Sequence, residues 1–136
     1  MIAELRARHP GIDASVGDLG ALMRPRAAAG WSAITAWYSL VHLSDTELHG
    51  AVAALARTLV PDGVLAVAVH VGDEVRHVGE FFGASVDLDF VFHDSDHVIN
   101  AFRAAGLHSI EWYLRSSDPD REVDTQRLYV IGRATA

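Results

Sequence analysis

Ile34-Thr35-Ala36-Trp37-Tyr38-Ser39-Leu40 is β-like and largely apolar, and Val64-Leu65-Ala66-Val67-Ala68-Val69 is a second run of the same kind. Between them Ser44 and Glu47 stand in capping-box spacing, and Leu48, Val52, Leu55 and Leu59 keep one face apolar at helical period. Pro61-Asp62-Gly63 then turns the chain into the second run. Strand, helix and strand in that order predict a parallel pair joined by a crossover, and apolar strands of this kind are buried on both faces. The fold class expected from this stretch is α/β.

The alternation continues outward. Residues 1 to 9 are helical in composition and stop at Pro10-Gly11, residues 12 to 17 read as a short strand ending at Asp18, and an irregular stretch follows. Residues 71 to 85 carry no clear period, after which Leu88, Phe90 and Phe92 alternate with Asp87, Asp89 and Val91 as in a half-exposed strand. Asp94 is placed to cap a helix running through Ala105, with Gly106 to end it. Residues 107 to 114 and 126 to 133 read as two last strands joined by the polar loop 116 to 125. Together these predict a mostly parallel sheet with helices on both faces, its last strands antiparallel.

Composition bounds the function. The chain has 136 residues, a formal charge of −7, 50% hydrophobic content and no cysteine, which predicts one domain, residues 1 to 136, with a buried core. All eleven basic residues are arginine, so lysine chemistry, thiolates, disulfides and cysteine-held metals are excluded. The arginines are scattered and the balance is acidic, which argues against nucleic acid as a partner. The longest clean apolar run, residues 64 to 69, is far shorter than the ~20 residues of a spanning helix, and the start lacks a signal-peptide pattern. The expected location is the cytoplasm, with no membrane partner.

Four pieces in order resemble the class I S-adenosylmethionine-dependent methyltransferases: the opening segment through Pro10-Gly11; Val16-Gly17-Asp18-Leu19 with Leu22; Ala36-Trp37-Tyr38-Ser39-Leu40-Val41-His42; and Leu59-Val60-Pro61-Asp62-Gly63-Val64-Leu65. The resemblance covers nearly the whole chain, and Asp62 departs from the glycine common in that turn. It implies a Rossmann-like fold, S-adenosylmethionine as cofactor and a small-molecule acceptor as substrate. In the family the first strand, its glycine-rich loop, the first helix and the second strand precede the segment that begins here, and no G-x-G occurs near this start. A truncated domain with impaired cofactor binding is therefore expected, either a piece of a methyltransferase or a catalytically silent binding or dimerisation module. In the family strand order 3-2-1-4-5-7-6, the strand at 12 to 17 lies three spacings of ~4.8 Å from the strand at 34 to 40, a gap of roughly 14 Å. Closing it would take rearrangement of that first strand, a second chain by homodimerisation or strand exchange, or aggregation through the open edge.

The resemblance assigns cofactor contacts to Asp18 and Leu19, the first as the acid facing adenine. The alternative for Asp18 is capping a short helix near Ala21. Trp37, Tyr38 and Ser39 lie at a strand's carboxyl end, where ligands of open α/β sheets bind, and an aromatic there suits a sulfonium. Neighbours on a strand point oppositely, so one of Trp37 and Tyr38 is expected to pack under the following helix instead. His42 and His70 are the candidate catalytic groups, each with the alternative of a loop histidine bonded to backbone. The segment from His70 through His77 lacks a metal-binding spacing, and no metal is expected. His93-Asp94-Ser95-Asp96-His97 is explained by helix capping. Phe81 and Phe82 read either as the lid of an acceptor pocket or as core.

Overall fold

The computed structural model describes residues 1–25 and 28–136. In chain order it holds α1 (Ile2–Arg8), a 3-10 turn (Leu19–Ala21), β1 (Trp31–Trp37), α2 (Asp45–Ala56), β2 (Leu59–Val71), β3 (Val75–Phe81), β4 (Ala84–Val91), α3 (Ser95–Ala104), β5 (His108–Arg115) and β6 (Gln126–Arg133). The main sheet runs β1-β2-β6-β5, with β1 and β2 parallel and the other two pairings antiparallel. That is the 4-5-7-6 part of the family order. β3 and β4 form a separate antiparallel hairpin between β2 and α3.

Local chemistry accounts for the helices. Ser44 caps α2 through the N–H of Glu47 while the Glu47 carboxylate takes the N–H of Ser44. Asp94 caps α3 through the N–H groups of Asp96 and His97. Leu59, expected on the helix's apolar face, instead begins β2, because the helix ends at Ala56. The Pro61-Asp62-Gly63 turn appears as an irregularity inside β2: the partner of Trp31 is Leu59 but that of Ala33 is Val64, and Asp62 has φ of +60°.

The core lies between α2, α3 and one face of the sheet. Leu48, Val52 and Leu55 of α2 meet Val98 and Phe102 of α3 and the inward side chains Leu65, Val67, Val69, Leu128 and Val130. Helices on both faces were expected; α2 and α3 share one face, and α1 buries none of its residues. The sheet is also less parallel than expected, because β6 enters between β2 and β5 in the opposite sense.

The strand expected over residues 12 to 17 is absent. Alternation of residue types sets which way side chains point, but a strand exists only where a ladder satisfies its backbone. Here the Arg6 guanidinium donates to the carbonyl of Ala14, and Val16 is 88% exposed. The patternless segment 71 to 85 holds the last residue of β2, then β3 and the start of β4, the latter two mostly exposed on both faces and therefore without a period to read.

Candidate functional site

The carboxyl ends of β1 and β2 lie side by side, and the antiparallel entry of β6 brings its amino end to the same rim. Tyr38, immediately after β1, donates its N–H to the carbonyl of Ala68 at 2.8 Å and has φ of +51°. Left-handed backbone at a bulky side chain costs on the order of 1 to 3 kcal/mol and concentrates at functional positions. Its ring lies 4.9 Å from that of His70 on β2, and its hydroxyl is 2.8 Å from the Tyr129 hydroxyl on β6. Trp37 meets Tyr129 edge-on at 6.0 Å and remains 50% exposed. Trp37, Tyr38, His70 and Tyr129 thus form one aromatic cluster at the rim.

The end of β5, the start of β6 and the loop between them fix it. Arg115 makes a fork to the Glu122 carboxylate at 2.7 and 2.8 Å, and its Nη2 donates to the Tyr129 hydroxyl at 3.2 Å. Arg127, 4% exposed, donates to the carbonyls of Val123 and Thr125 and lies 3.5 Å from Glu122. The His70 Nδ1 is 2.7 Å from the Thr125 hydroxyl.

These surroundings set the protonation states. Burial, then the Tyr129 hydroxyl, pushes the Tyr38 phenol up to about 12. Tyr129 moves the other way, because the Tyr38 hydroxyl, and after it Arg115, favours the oxyanion. The opposite directions belong to one coupled pair whose hydroxyls share a hydrogen bond. Burial and the charges of Arg127 and Arg76 lower His70, which keeps the imidazole neutral at pH 7. The Arg115 fork, then the N–H of Asp118, pulls Glu122 down to about 2.

His70 also walls a cleft of about 270 Å³ under the hairpin, lined by Val78, Phe81, Phe90, Phe92, Val123 and Arg76. The lining is almost entirely apolar, apart from His70 and an Arg76 guanidinium that stands 4.8 Å over the Phe92 ring. Phe81 is therefore a wall of this cleft, while Phe82 is 95% exposed.

The other expected site residues lie apart. His42 donates from Nδ1 to the Asp89 carbonyl at 2.7 Å and its ring rests 5.0 Å from Phe90, so it is tied to β4 behind the cleft wall. Asp18 caps the 3-10 turn, its Oδ1 taking the N–H of Gly20 at 2.8 Å. With the half-buried Leu19 it lines a separate cavity of about 320 Å³ beside Leu43, Glu47, Gly50 and Ala51 of the α2 end. Ser39 is exposed. His93, fully buried, bonds Asp45 at 3.0 Å and ties α2 to the start of α3. Among the described residues no group of three or more His, Asp or Glu is arranged to hold a metal, and no helix is long and apolar enough to cross a membrane.

Arg115, Glu122, Arg127 and Tyr129 escaped the sequence reading. The available signal was Arg127 and Tyr129 alternating with Leu128 and Val130 in β6, which places two polar groups on the face opposite the core.

The residues present fit S-adenosylmethionine in part. The Asp18 carboxylate suits an exocyclic amine, Leu19 offers an apolar surface, and the exposed Trp37 indole beside Tyr38 suits a cation. No glycine-rich segment of the kind that cradles the methionine end stands among them.

No family model matches the sequence, and no curated protein matches it. Solved structures do match the fold. A SAM-dependent methyltransferase from Methanosarcina mazei aligns over 98% of this chain and 76% of its own with TM-score 0.72 and 10% identity. The 1,6-didemethyltoxoflavin-N1-methyltransferase of Burkholderia thailandensis, solved with 1,6-didemethyltoxoflavin and S-adenosylhomocysteine, aligns over 98% and 56% with TM-score 0.68 and 16% identity. The [4+2]-cyclase SpnF aligns over 99% and 62% with TM-score 0.67 and 19% identity. The chain therefore has a class I S-adenosylmethionine-dependent methyltransferase-like fold, Rossmann-like and α/β, and spans about 56 to 76% of these three proteins.

Proposed function

We propose that this chain is the acceptor-side portion of a small-molecule methyltransferase. The observation that carries the reading is the aromatic rim of Trp37, Tyr38 and Tyr129 joined through His70 to an apolar cleft of about 270 Å³. A bound sulfonium cofactor would supply an activated methyl group. The chain's own part is to hold and orient: Asp18 and Leu19 toward the adenine end, Trp37, Tyr38 and Ser39 toward the cation, Phe90 and Phe92 around the acceptor. His70, neutral and anchored by Thr125, is available to accept a hydrogen bond or proton there, and the Asp89-bound His42 supports the cleft wall.

A catalytically silent binding module is the second reading, favoured by a cyclase sharing the fold and by the partial cofactor fit. Calorimetric titration with S-adenosylhomocysteine tests the cofactor contacts on which the first reading depends. Binding weaker than micromolar, weakened further in Trp37→Ala and Asp18→Ala, is the expected result. Micromolar affinity would contradict the impaired cofactor binding, and the same weak heat in all variants would contradict the assigned contacts.

The partner expected besides the acceptor is a second copy, paired through β1. Tyr38 donating to Ala68 in a parallel ladder directs Ile34 and Ala36 toward β2 and turns the N–H and C=O groups of Ala33 and Thr35 outward. The edge Trp31–Trp37 carries no charge and no proline, the usual guards against strand pairing. Sedimentation is expected to show a dimer or larger species, and Ala33→Pro, which removes only an outward N–H, a monomer. A wild-type monomer would contradict the pairing. Nucleic acid and membranes remain outside the proposed partners, and the proposed location is the cytoplasm.

A further inference from the structure

One face of the β3–β4 hairpin walls the cleft. Arg76 and Val78 lie two apart on β3, and Arg76 stands opposite Phe90 across the ladder, so the three share a face while His77, Asp87 and Asp89 meet on the other. The Phe81 and Phe90 rings approach at 6.0 Å with their planes 37° apart, and those of Phe92 and His70 at 5.8 Å and 38°. Rings set at such offsets present faces and edges that a further aromatic ring meets well. A cleft of about 270 Å³ is small for a ligand pocket, with room for one or two fused rings.

Arg76 is the one charged residue in that lining. Its guanidinium is stacked 4.8 Å over the Phe92 ring, which sets its plane, and its contact among the described residues is a single one, from Nη2 to the Glu74 carboxylate at 2.6 Å. A guanidinium has two forked edges, so one N–H contact leaves one edge whole; Arg115, by contrast, commits a fork to Glu122. Glu74 itself stands outside the cleft. It lines a neighbouring cavity with Asp45, Asp73 and Asp94, so Phe92 divides an acidic cavity from an apolar cleft whose own charge is positive. Arg127, paired with His70 across β2 and β6, adds to that sign: after burial, the charges of Arg127 and Arg76 disfavour the His70 cation, against Glu122 alone. A neutral ring entering the cleft strips water from the open guanidinium edge and offers no acceptor, whereas a carboxylate matches it.

We propose that the cleft binds a planar aromatic carboxylate, its acid group bidentate on Arg76 and its ring among Phe81, Phe90 and Phe92, and that Arg76 selects acids over neutral and cationic rings. That the bound acid is also the methyl acceptor rests on the methyl-transfer reading; the preference for a carboxylate does not. One guanidinium carries one charge, and the only other polar side chain in the lining is the neutral His70 imidazole, so a singly charged acid is matched where a doubly charged phosphate is not. A lysine in place of Arg76 would supply the charge without the stack on Phe92 or the fork.

Fluorescence titration of the whole protein with 2-naphthoate, 2-naphthol and 2-naphthylmethylamine at pH 7 tests this. Naphthoate should bind about tenfold tighter than naphthol or better, and the amine should bind weakest. Arg76→Gln should bring naphthoate down to the affinity of naphthol while naphthol itself changes little, and Arg76→Lys should recover only part of the preference. The Arg76 side chain is half exposed on the hairpin, so both variants should fold, which circular dichroism checks. Equal affinity for acid and neutral ring, tightest binding by the amine, no binding by any of the three, or a preference that survives Arg76→Gln overturns the proposal. In a second arm the naphthoate-loaded protein is titrated with S-adenosylhomocysteine and read at the Trp37 indole N–H by NMR. Both ligands bound together is the expected result. Ligands that exclude each other, or a Trp37 signal that never moves, contradict the methyl-transfer reading and leave the acid site standing.

Discussion

Replacing Phe102 with alanine is expected to destabilise the fold by about 3 to 5 kcal/mol, the usual cost of emptying a fully buried aromatic site. Phe102 is 0% exposed, and its ring sits against Gly132 of β6 so closely that a Cβ there would lie 2.9 Å from Phe102 Cδ1. The glycine admits the ring, and the ring fixes α3 to the strand whose other face carries Tyr129. Against a total of about 5 to 15 kcal/mol for a domain, the loss is large enough to move the urea midpoint far down. A change below about 1 kcal/mol would mean the ring does not fill the core as described.

The second large effect concerns the cleft. Val78→Glu sets a carboxylate on β3 in a lining that is otherwise almost wholly apolar, while the hairpin's exposure lets the fold accept the change. A charge there must be desolvated whenever an apolar ligand enters. Affinity for a neutral naphthol probe should fall tenfold or more, which corresponds to at least about 1.4 kcal/mol. Circular dichroism should stay unchanged. Equal affinity in the two proteins would show that the acceptor binds elsewhere.

Much of the scaffold was legible because its signals are local. The reciprocal bonds of Ser44 and Glu47, the Asp94 cap and the two apolar strands β1 and β2 each follow from residues a few positions apart. Tyr38 and His70 were legible as strand ends, since a parallel pair brings both carboxyl termini to one rim. Residues 12 to 17 misled because an alternating pattern is compatible with a strand but supplies no partner. Tyr129 and Arg115 were hidden for a related reason: their meeting depends on the register that sets Tyr113 opposite Tyr129 and Arg115 opposite Arg127 across a ten-residue loop. That register is fixed by the core side chains Leu128 and Val130 rather than by the polar residues it brings together.

The claim on which the functional account stands is that the rim at the ends of β1 and β2 is where a sulfonium cofactor and its acceptor meet. Residue-resolved NMR during titration with S-adenosylhomocysteine tests it most directly, since weak binding is then readable. Trp31, Trp37 and Trp112 each report through an indole N–H. The account expects Trp37, Tyr38 and Leu19 to shift together along one saturation curve while Trp112 stays still. Shifts confined to Trp112 or α1, or a rim that does not respond at saturating ligand, would contradict it.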